Sequence, residues 1–235
     1  MILERIDIGE SEDRLQIALH RNRYDFALQR LPPDQNVLEI GTGLGIFTQE
    51  LFPKCGSYVG VEFDPEACAA ARKKNPAAKI IQGDARQLLF ADNQFSFVIC
   101  LEVLEHLGDW QAGVKQIHRC LQPEGMAIIS VPWRRIGGKS ETNEYHVYEP
   151  GEAELVSAFK ILFQNVEVHY QYFVETRWMT LARQLHLRRF LGLSRIYADL
   201  SAGLPQATSR LRIGQKPKGM KQHLILVVSG KKTSP

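Results

Sequence analysis

The segment E-V-L-E-H at residues 102–106 carries side chains suited to acid–base or metal chemistry. If this segment is helical, Glu102, Glu105 and His106 lie at i, i+3 and i+4 and share one face. His106 could then take a proton from an acceptor hydroxyl. Alternatively, these three residues and the distant His146 could bind a divalent ion that also holds acceptor oxygens. A third interpretation is a loop in which the backbone satisfies the histidine, and the sequence leaves all three open.

A glycine-rich stretch upstream marks a turn that a ligand approaches closely. An apolar run at residues 36–40 is followed by Gly41, Gly43 and Gly45 at every second position. Glycine adopts positive φ and leaves the main chain accessible, so this pattern predicts a strand, a ligand-binding turn and a helix start. The G-x-G-x-G spacing is neither a dinucleotide fingerprint nor a phosphate-binding P-loop. Glu39, just before the turn, suits an ammonium or hydroxyl group better than a phosphate.

The elements that must position these residues alternate between strands and helices. Six further apolar runs are strand candidates, at residues 58–62, 79–82, 95–101, 125–132, 163–174 and 223–229. Helix-compatible segments lie between strand candidates at residues 65–74 and 110–121, and each connection is long enough for a crossover. The sequence therefore predicts an α/β fold with a doubly wound, Rossmann-like, mostly parallel sheet and helices on both faces. The run at 95–101 is nearly all apolar, which is typical of a central strand.

Two acids near the end of the second strand have different predicted roles. Glu62 ends the strand, where a carboxylate can accept hydrogen bonds from ribose hydroxyls. Asp64 precedes Pro65 and is interpreted as the N-cap of a helix over residues 65–74. The sequence thus predicts Glu62 as a nucleoside-binding residue.

The segment E-I-G-T-G-L-G at residues 39–45 resembles the first motif of class I S-adenosylmethionine-dependent methyltransferases, the loop that carries the methionine end of the cofactor. The G-D-A segment resembles the motif in which Asp84 would accept the adenine amino group and the Ala85 N–H would meet a ring nitrogen. R-Y-D-F-A, ahead of the glycine loop, resembles a segment in which Tyr24 would close over the methionine end, unless it packs in the core. The resemblance also implies seven strands with an antiparallel last strand.

The E-V-L-E-H segment with a later histidine resembles two subfamilies, the ubiquinone-biosynthesis O-methyltransferases and the small-RNA 3′-terminal 2′-O-methyltransferases, where such a set holds a metal. The resemblance implies an S-adenosylmethionine-dependent enzyme that methylates oxygen. His106 is the favoured base, and a divalent metal is the less favoured interpretation. A metal-assisted RNA 2′-O-methyltransferase and a non-catalytic cofactor-binding partner protein are the alternatives.

Basic charge is concentrated in one stretch of a single predicted domain over residues 1–235. The whole chain has a net charge of +3, yet residues 175–221 contain ten Lys and Arg residues against two acids. We interpret this stretch as an inserted basic helical cap and residues 1–35 as an N-terminal helical segment. A basic cap favours a small or carrier-linked anionic acceptor and allows peripheral membrane contact, whereas no RNA-binding motif accompanies it.

The sequence also bears on the compartment in which we expect the protein. No apolar run is long enough to span a bilayer. The four cysteines contain no C-x-x-C pair, which indicates reduced thiols rather than a disulfide framework. We therefore expect a cytoplasmic protein without a transmembrane segment.

Overall fold

The computed structural model describes residues 11–140, 143–174, 211–215, 217 and 219–232. The α-helices of this part are α1 (Ser11–Leu28), α2 (Thr48–Leu51), α3 (Pro65–Lys74), α4 (Trp110–Cys120) and α5 (Glu152–Leu162). The strands are β1 (Asn36–Ile40), β2 (Ser57–Glu62), β3 (Lys79–Gln82), β4 (Phe95–Leu101), β5 (Leu121–Pro132), β6 (Phe163–Val174), β7 (Leu211–Gly214) and β8 (Gly219–Lys231). Short 3₁₀ helices cover Phe52–Lys54 and Leu104–His106. Among these helices, none is both long and apolar enough to cross a membrane.

The strands form one mixed sheet in the order β3-β2-β1-β4-β5-β8-β6-β7. Strands β1 to β5 pair in parallel, whereas β8 runs antiparallel to both β5 and β6. The predicted α/β class, mostly parallel sheet and antiparallel last strand are confirmed. The chain leaves β1 for β2 and β3 and then returns to β4 on the other side, which creates a crevice at the carboxyl ends of β1 and β4.

The predicted number of seven strands is wrong, because the described part of the sheet has eight. The additional strand, β7, pairs antiparallel with β6. In β7, buried Leu211 precedes exposed Arg212, an alternation that fits a sheet edge. This strand and the first residues of β8 fall inside the stretch interpreted as a helical cap. Residues 175–210 of that cap lie outside the described residues.

Strand β4 is the centre of the hydrophobic core. All of its residues except Ser96 are buried, as its apolar run predicts. Val98 and Cys100 pack with residues of α4 and α5 on one face of the sheet. Phe97 and Ile99 pack with residues of α1, α2 and α3 on the other face. Two helical layers thus fix the strand whose carboxyl end leads into the E-V-L-E-H segment.

The helices that flank the site begin and end at local signals. Helix α3 has the predicted bounds, and Asp64 Oδ1 accepts hydrogen bonds from the N–H groups of Glu66 at 3.0 Å and Ala67 at 2.8 Å. The N-cap interpretation of Asp64 is therefore confirmed. Helix α1 ends at Leu28, and the pair Pro32-Pro33 follows it.

Candidate active site

A cavity of about 1260 Å³ opens at the carboxyl ends of the parallel strands. The glycine loop, the end of β2 and the segment after β3 line one part of it, and α1, the segment after β4 and the loop at 139–149 line another. Single ligand sites measure roughly 300–1,000 Å³, so this cavity has room for a cofactor and an acceptor together.

The three glycines of the loop have positive φ angles, +80° at Gly41, +53° at Gly43 and +67° at Gly45. A Cβ atom on Gly41 would lie 2.4 Å from a methyl carbon of Val103, and one on Gly45 would lie 2.5 Å from the side-chain nitrogen of Asn75. A Cβ atom on Gly43 would meet no atom within 4 Å. The outer two glycines are therefore needed for packing, whereas Gly43 opens into the cavity.

Glu62 lies at the cavity wall with its carboxylate held by two backbone donors. Its Oε2 accepts from the Gly43 N–H at 2.7 Å, and its Oε1 accepts from the Asp64 N–H at 3.0 Å. Each carboxylate oxygen has a second lone pair that can accept a further hydrogen bond. The geometry is therefore compatible with the predicted ribose contact of Glu62.

Asp84 and Ala85 also line the cavity, after β3. The Arg86 side chain donates hydrogen bonds to both Asp84 oxygens, the shortest at 2.6 Å from its Nη2 atom. These hydrogen bonds hold the pKa of Asp84 below its usual value, because they outweigh the opposing effect of burial. Asp84 is thus an ionised acceptor, as the predicted adenine contact requires, and its pairing with Arg86 was not predicted from the sequence.

Glu39 lies behind the cavity wall rather than in the lining. It is fully buried, and its carboxylate accepts hydrogen bonds from the hydroxyl groups of Tyr24, Tyr58 and, at 3.4 Å, Thr48. Burial raises its pKa, and hydrogen bonds from these partners offset only part of that effect. The predicted direct contact of Glu39 with the ligand stays a prediction. In the structure this carboxylate positions Tyr24.

Tyr24 packs in the core and also borders the cavity. It is buried, and its ring stacks on Phe47 with 4.5 Å between the ring centroids. It also lines the cavity next to the glycine loop. Tyr24 is therefore a core residue that presents one side to the space where the resemblance expects the methionine end of the cofactor.

The helical geometry expected from Glu102 onward is wrong. Glu102 has a φ of +57°, and the 3₁₀ helix begins only at Leu104, so Glu102 does not continue the face of Glu105 and His106. Instead, its Oε1 accepts from the Ser130 hydroxyl at 2.6 Å, and its Oε2 lies 3.0 Å from His223 Nε2. Glu102 therefore stands outside the predicted metal-binding set.

Glu105, His106 and His146 do come together, with potential ligand atoms within 4.8 Å of one another. His106 Nδ1 lies 3.1 Å from the Tyr145 carbonyl, and His146 Nδ1 lies 2.6 Å from Glu149 Oε1. These contacts favour Nδ1–H on both rings, and Nε2 of His146 accepts a hydrogen bond from Nδ2 of Asn143 at 2.9 Å. Metal-binding histidines are commonly oriented in this way.

The carboxylate of Glu105 is fully buried, and neither oxygen has a hydrogen-bond partner within the described residues. Burial and the nearby charge of Glu102 raise its pKa well above the usual value. A buried acceptor without a donor is unusual and calls for a proton or a cation. One carboxylate and two imidazoles suit a divalent first-row metal, so the residues present fit such an ion.

Two solved structures with similar folds are described as methyltransferases. A Thermotoga maritima S-adenosylmethionine-dependent methyltransferase, described as a possible histamine N-methyltransferase, has a TM-score of 0.63 at 19% identity and covers 94% of this chain and 95% of that one. A Haemonchus contortus phosphoethanolamine N-methyltransferase, in complex with phosphomonomethylethanolamine and S-adenosylhomocysteine, has a TM-score of 0.60 at 19% identity. This match covers 90% of this chain and 53% of that one. At these identities the likeness shows the fold alone.

Sequence comparison finds a family match over part of the chain. Residues 38–129 match the family described as methyltransferase domain. This part of the chain is similar to methyltransferase domains, and relatives that match it include S-adenosylmethionine-dependent methyltransferases.

Two curated relatives illustrate the match. A probable S-adenosylmethionine-dependent methyltransferase of Mycobacterium tuberculosis is 28% identical over 141 residues, which are 57% of this chain and 52% of the relative. A demethylmenaquinone methyltransferase of Chlorobaculum parvum is 33% identical over 100 residues, 42% of each chain. The chain therefore spans about half the length of the curated relatives it matches.

We expect Glu62→Ala to weaken S-adenosylhomocysteine binding by about 1.5–3 kcal/mol, because the ribose hydroxyls would lose a charged acceptor. Asp64→Ala is the matched control, since its Oδ1 caps α3 and accepts from backbone groups instead. Calorimetric titration of both variants measures the difference. Equal losses at the two positions would show that Glu62 is not the ribose acid.

Proposed function

We propose that the protein transfers a methyl group from S-adenosylmethionine to a hydroxyl oxygen of a small or carrier-linked anionic acceptor. The observation that carries the choice of oxygen is the cluster of Glu105, His106 and His146 in the cavity lining or directly behind it. A hydroxyl group must lose its proton when it is methylated, and this cluster offers basic or metal-binding atoms to an oxygen.

Alignment is the main task that this reaction leaves to the protein, because the sulfonium is already activated toward displacement. One part of the cavity is suited to the cofactor, and the other part is suited to the acceptor. Gly43, Glu62 and Asp84 are positioned to hold the cofactor, with Tyr24 at its methionine end. The segment after β4 and the loop at 139–149 are then left to hold the acceptor in line with the methyl group.

His106 has geometry for either of its two predicted roles. With Nδ1–H directed to the Tyr145 carbonyl, its Nε2 has a lone pair that can accept a proton. The same lone pair can bind a metal, and then it cannot accept a proton. The metal-assisted alternative is favoured by one specific observation, the buried Glu105 carboxylate that lacks a hydrogen-bond donor. A divalent ion held by Glu105, His106 and His146 would supply Lewis acidity toward acceptor oxygens.

Support for an anionic acceptor comes from charge in two places. The basic stretch at 175–221 is one, and Lys139, which lines the acceptor part of the cavity, is the other. An acidic group on the acceptor would be attracted to both. The same charge could bring the protein to an anionic membrane surface, where a carrier-linked acceptor would be found.

A cytoplasmic location is part of this proposal. All four cysteines lie in the described part of the chain, and all of them are free thiols. Free, mostly buried thiols are typical of proteins in reducing compartments.

Loss of the Glu105 carboxylate should abolish metal binding if the cluster holds an ion. We expect the chelator-treated protein to bind Mn²⁺ and Glu105→Gln to bind it at least about 100-fold more weakly, since even outer-shell changes cost 10–100-fold. Calorimetry or the paramagnetic resonance of free Mn²⁺ measures the affinity. Glu50→Gln removes a half-buried carboxylate that pairs with Arg21 and serves as the control. Equal affinity in wild type and Glu105→Gln would contradict the metal site.

The proposed reaction can be tested without knowing the acceptor. Wild-type protein, S-adenosylmethionine labelled in its methyl group and a cell extract should give label in a small or lipid-linked anionic product that resists alkali, as a methyl ether does. Gly43→Arg, which should not bind the cofactor, is the control. Label in RNA would favour the 2′-O alternative. Cofactor binding without any transfer would favour the non-catalytic alternative.

A further inference from the structure

Glu102 has an unusual backbone conformation at a position that matters for the reaction. The described non-glycine residues with positive φ are Asp34, Asn93 and Glu102. Asp and Asn tolerate this region because their short side chains bond locally, whereas Glu has no such compensation. Glu102 directly follows β4, and strain of this kind persists where the surroundings fix it, often at active sites.

The turn at Glu102 lies against the glycine loop. The neighbouring Val103 occupies the space beside Gly41 that a Cβ atom would need. Glu102, His20 and His223 all line the cavity, and the side chain of Glu102 is 12% exposed. This carboxylate therefore faces the cavity next to the loop expected to carry the methionine end of the cofactor.

The surroundings of Glu102 keep it ionised. Ser130 donates to one oxygen, His223 Nε2 lies 3.0 Å from the other, and Arg23 Nε lies 3.9 Å from Oε1. Burial raises the pKa of Glu102. The charge of Arg23 and the contact with His223 together have a larger effect in the opposite direction, so the pKa lies well below the usual value. Arg23 is almost completely buried, and its Nε and Nη2 have no hydrogen-bond partner within the described residues. The carboxylate is thus the natural counter-ion of a buried cation.

We propose that Glu102 faces the reacting methyl group and receives the proton of the acceptor hydroxyl. This assignment rests on the proposed function and names the base for it. The acceptor oxygen gives a lone pair to the methyl carbon, the carbon–sulfur bond breaks, and its electron pair stays on sulfur. The acceptor O–H bond breaks at the same time or just after, and the proton moves to a carboxylate oxygen of Glu102. The neutral acid then releases the proton to water, so that charge and atoms balance.

A weakly basic carboxylate is sufficient for this step. As the carbon–oxygen bond forms, positive charge develops on the acceptor oxygen, and its proton becomes far more acidic than that of a free hydroxyl group. With Glu102 as the base, His106 does not need to serve both as a metal ligand and as the proton acceptor. If His106 Nε2 binds a metal together with Glu105 and His146, a separate residue must take the proton, and Glu102 has its own partners, Ser130 and His223.

The test uses sinefungin, a cofactor analogue in which a carbon bearing an amine replaces the methylated sulfonium. Its ammonium group lies where the methyl group is transferred, whereas S-adenosylhomocysteine is neutral there. We expect the wild type to bind sinefungin about tenfold or more tightly than S-adenosylhomocysteine, since a carboxylate is nearby. Glu102→Gln should lose this preference and keep its affinity for S-adenosylhomocysteine. Calorimetry in the presence of a chelator measures both ligands.

Two further variants keep the test decisive. Glu144→Gln removes another carboxylate of the cavity lining and should retain the preference. Glu102→Asp keeps the charge beside Arg23, so it should fold even if Glu102→Gln does not, and its shorter side chain should reduce the preference. An unchanged preference in Glu102→Gln and Glu102→Asp, or no preference in the wild type, would overturn the assignment and leave the proposed function intact. Failure of the wild type to bind either ligand would overturn the proposed function itself.

Discussion

A Gly43→Arg variant should fold and should no longer bind S-adenosylmethionine. No atom lies within 4 Å of the place where its Cβ would be, so the new side chain enters the cavity rather than the core. Arginine at a φ of +53° costs roughly 1–2 kcal/mol, which most domains survive. The loss of affinity should exceed about 100-fold, because the side chain occupies the space of the cofactor. Calorimetric titration with S-adenosylhomocysteine and a thermal melt measure binding and folding separately.

Two other glycines provide controls for this variant. Gly138→Arg places the same side chain at another open position outside the cavity lining, and it should bind the cofactor normally. Gly45→Arg should unfold or precipitate, because a Cβ there would collide with Asn75 and Ala71. Wild-type affinity in Gly43→Arg would mean that the cofactor does not occupy this cavity.

A Glu39→Ala variant should be destabilised by about 3–5 kcal/mol, because the change leaves buried hydroxyl donors without their charged acceptor and opens a cavity. The affected donors are the hydroxyl groups of Tyr24, Tyr58 and Thr48. Urea unfolding followed by circular dichroism measures the free energy of unfolding. We expect cofactor affinity to fall as well, since Tyr24 would lose the group that orients it.

The controls separate the charge of Glu39 from its volume. Glu39→Gln keeps an acceptor oxygen and nearly the same volume, so it should cost less than the alanine variant. Glu124→Ala removes an exposed carboxylate from β5 and should change the free energy of unfolding by less than about 0.5 kcal/mol. A loss in Glu39→Ala as small as that in Glu124→Ala would show that the buried carboxylate and its hydroxyl partners do not stabilise the fold.

The parts of the fold that were predictable are those with local signals. Helix α3 has Asp64 and Pro65 at its start, and β4 is a nearly continuous apolar run, so both have the predicted bounds. Strand β7 was missed because four residues with a single buried leucine give no recognisable pattern within a basic stretch. Its pairing with β6 comes from tertiary context, which a single sequence does not display.

The residues of the candidate site that follow strand ends were predictable from the sequence. Contacts between residues that are far apart in the chain were not. Glu62 and Asp84 lie in the cavity lining as their positions after β2 and β3 suggest. Arg23 and His223 are 200 positions apart, yet an Nη1–Nδ1 contact of 2.9 Å joins them beside Glu102. No periodicity or motif links two such positions. The positive φ of Glu102 could not be predicted either, because a glutamate in a sequence does not indicate a left-handed backbone.

The position of β8 between β5 and β6 has a consequence for synthesis of the protein. When β6 leaves the ribosome, the strand that will join it to the rest of the sheet has not yet been translated. Until β8 follows, the edge of β6 that will pair with β8 has exposed hydrogen-bonding groups, a state that favours chaperone binding or aggregation. His223, which β8 brings to Glu102, arrives in the same event. The sheet and the acceptor pocket are therefore completed together, late in the synthesis of each chain.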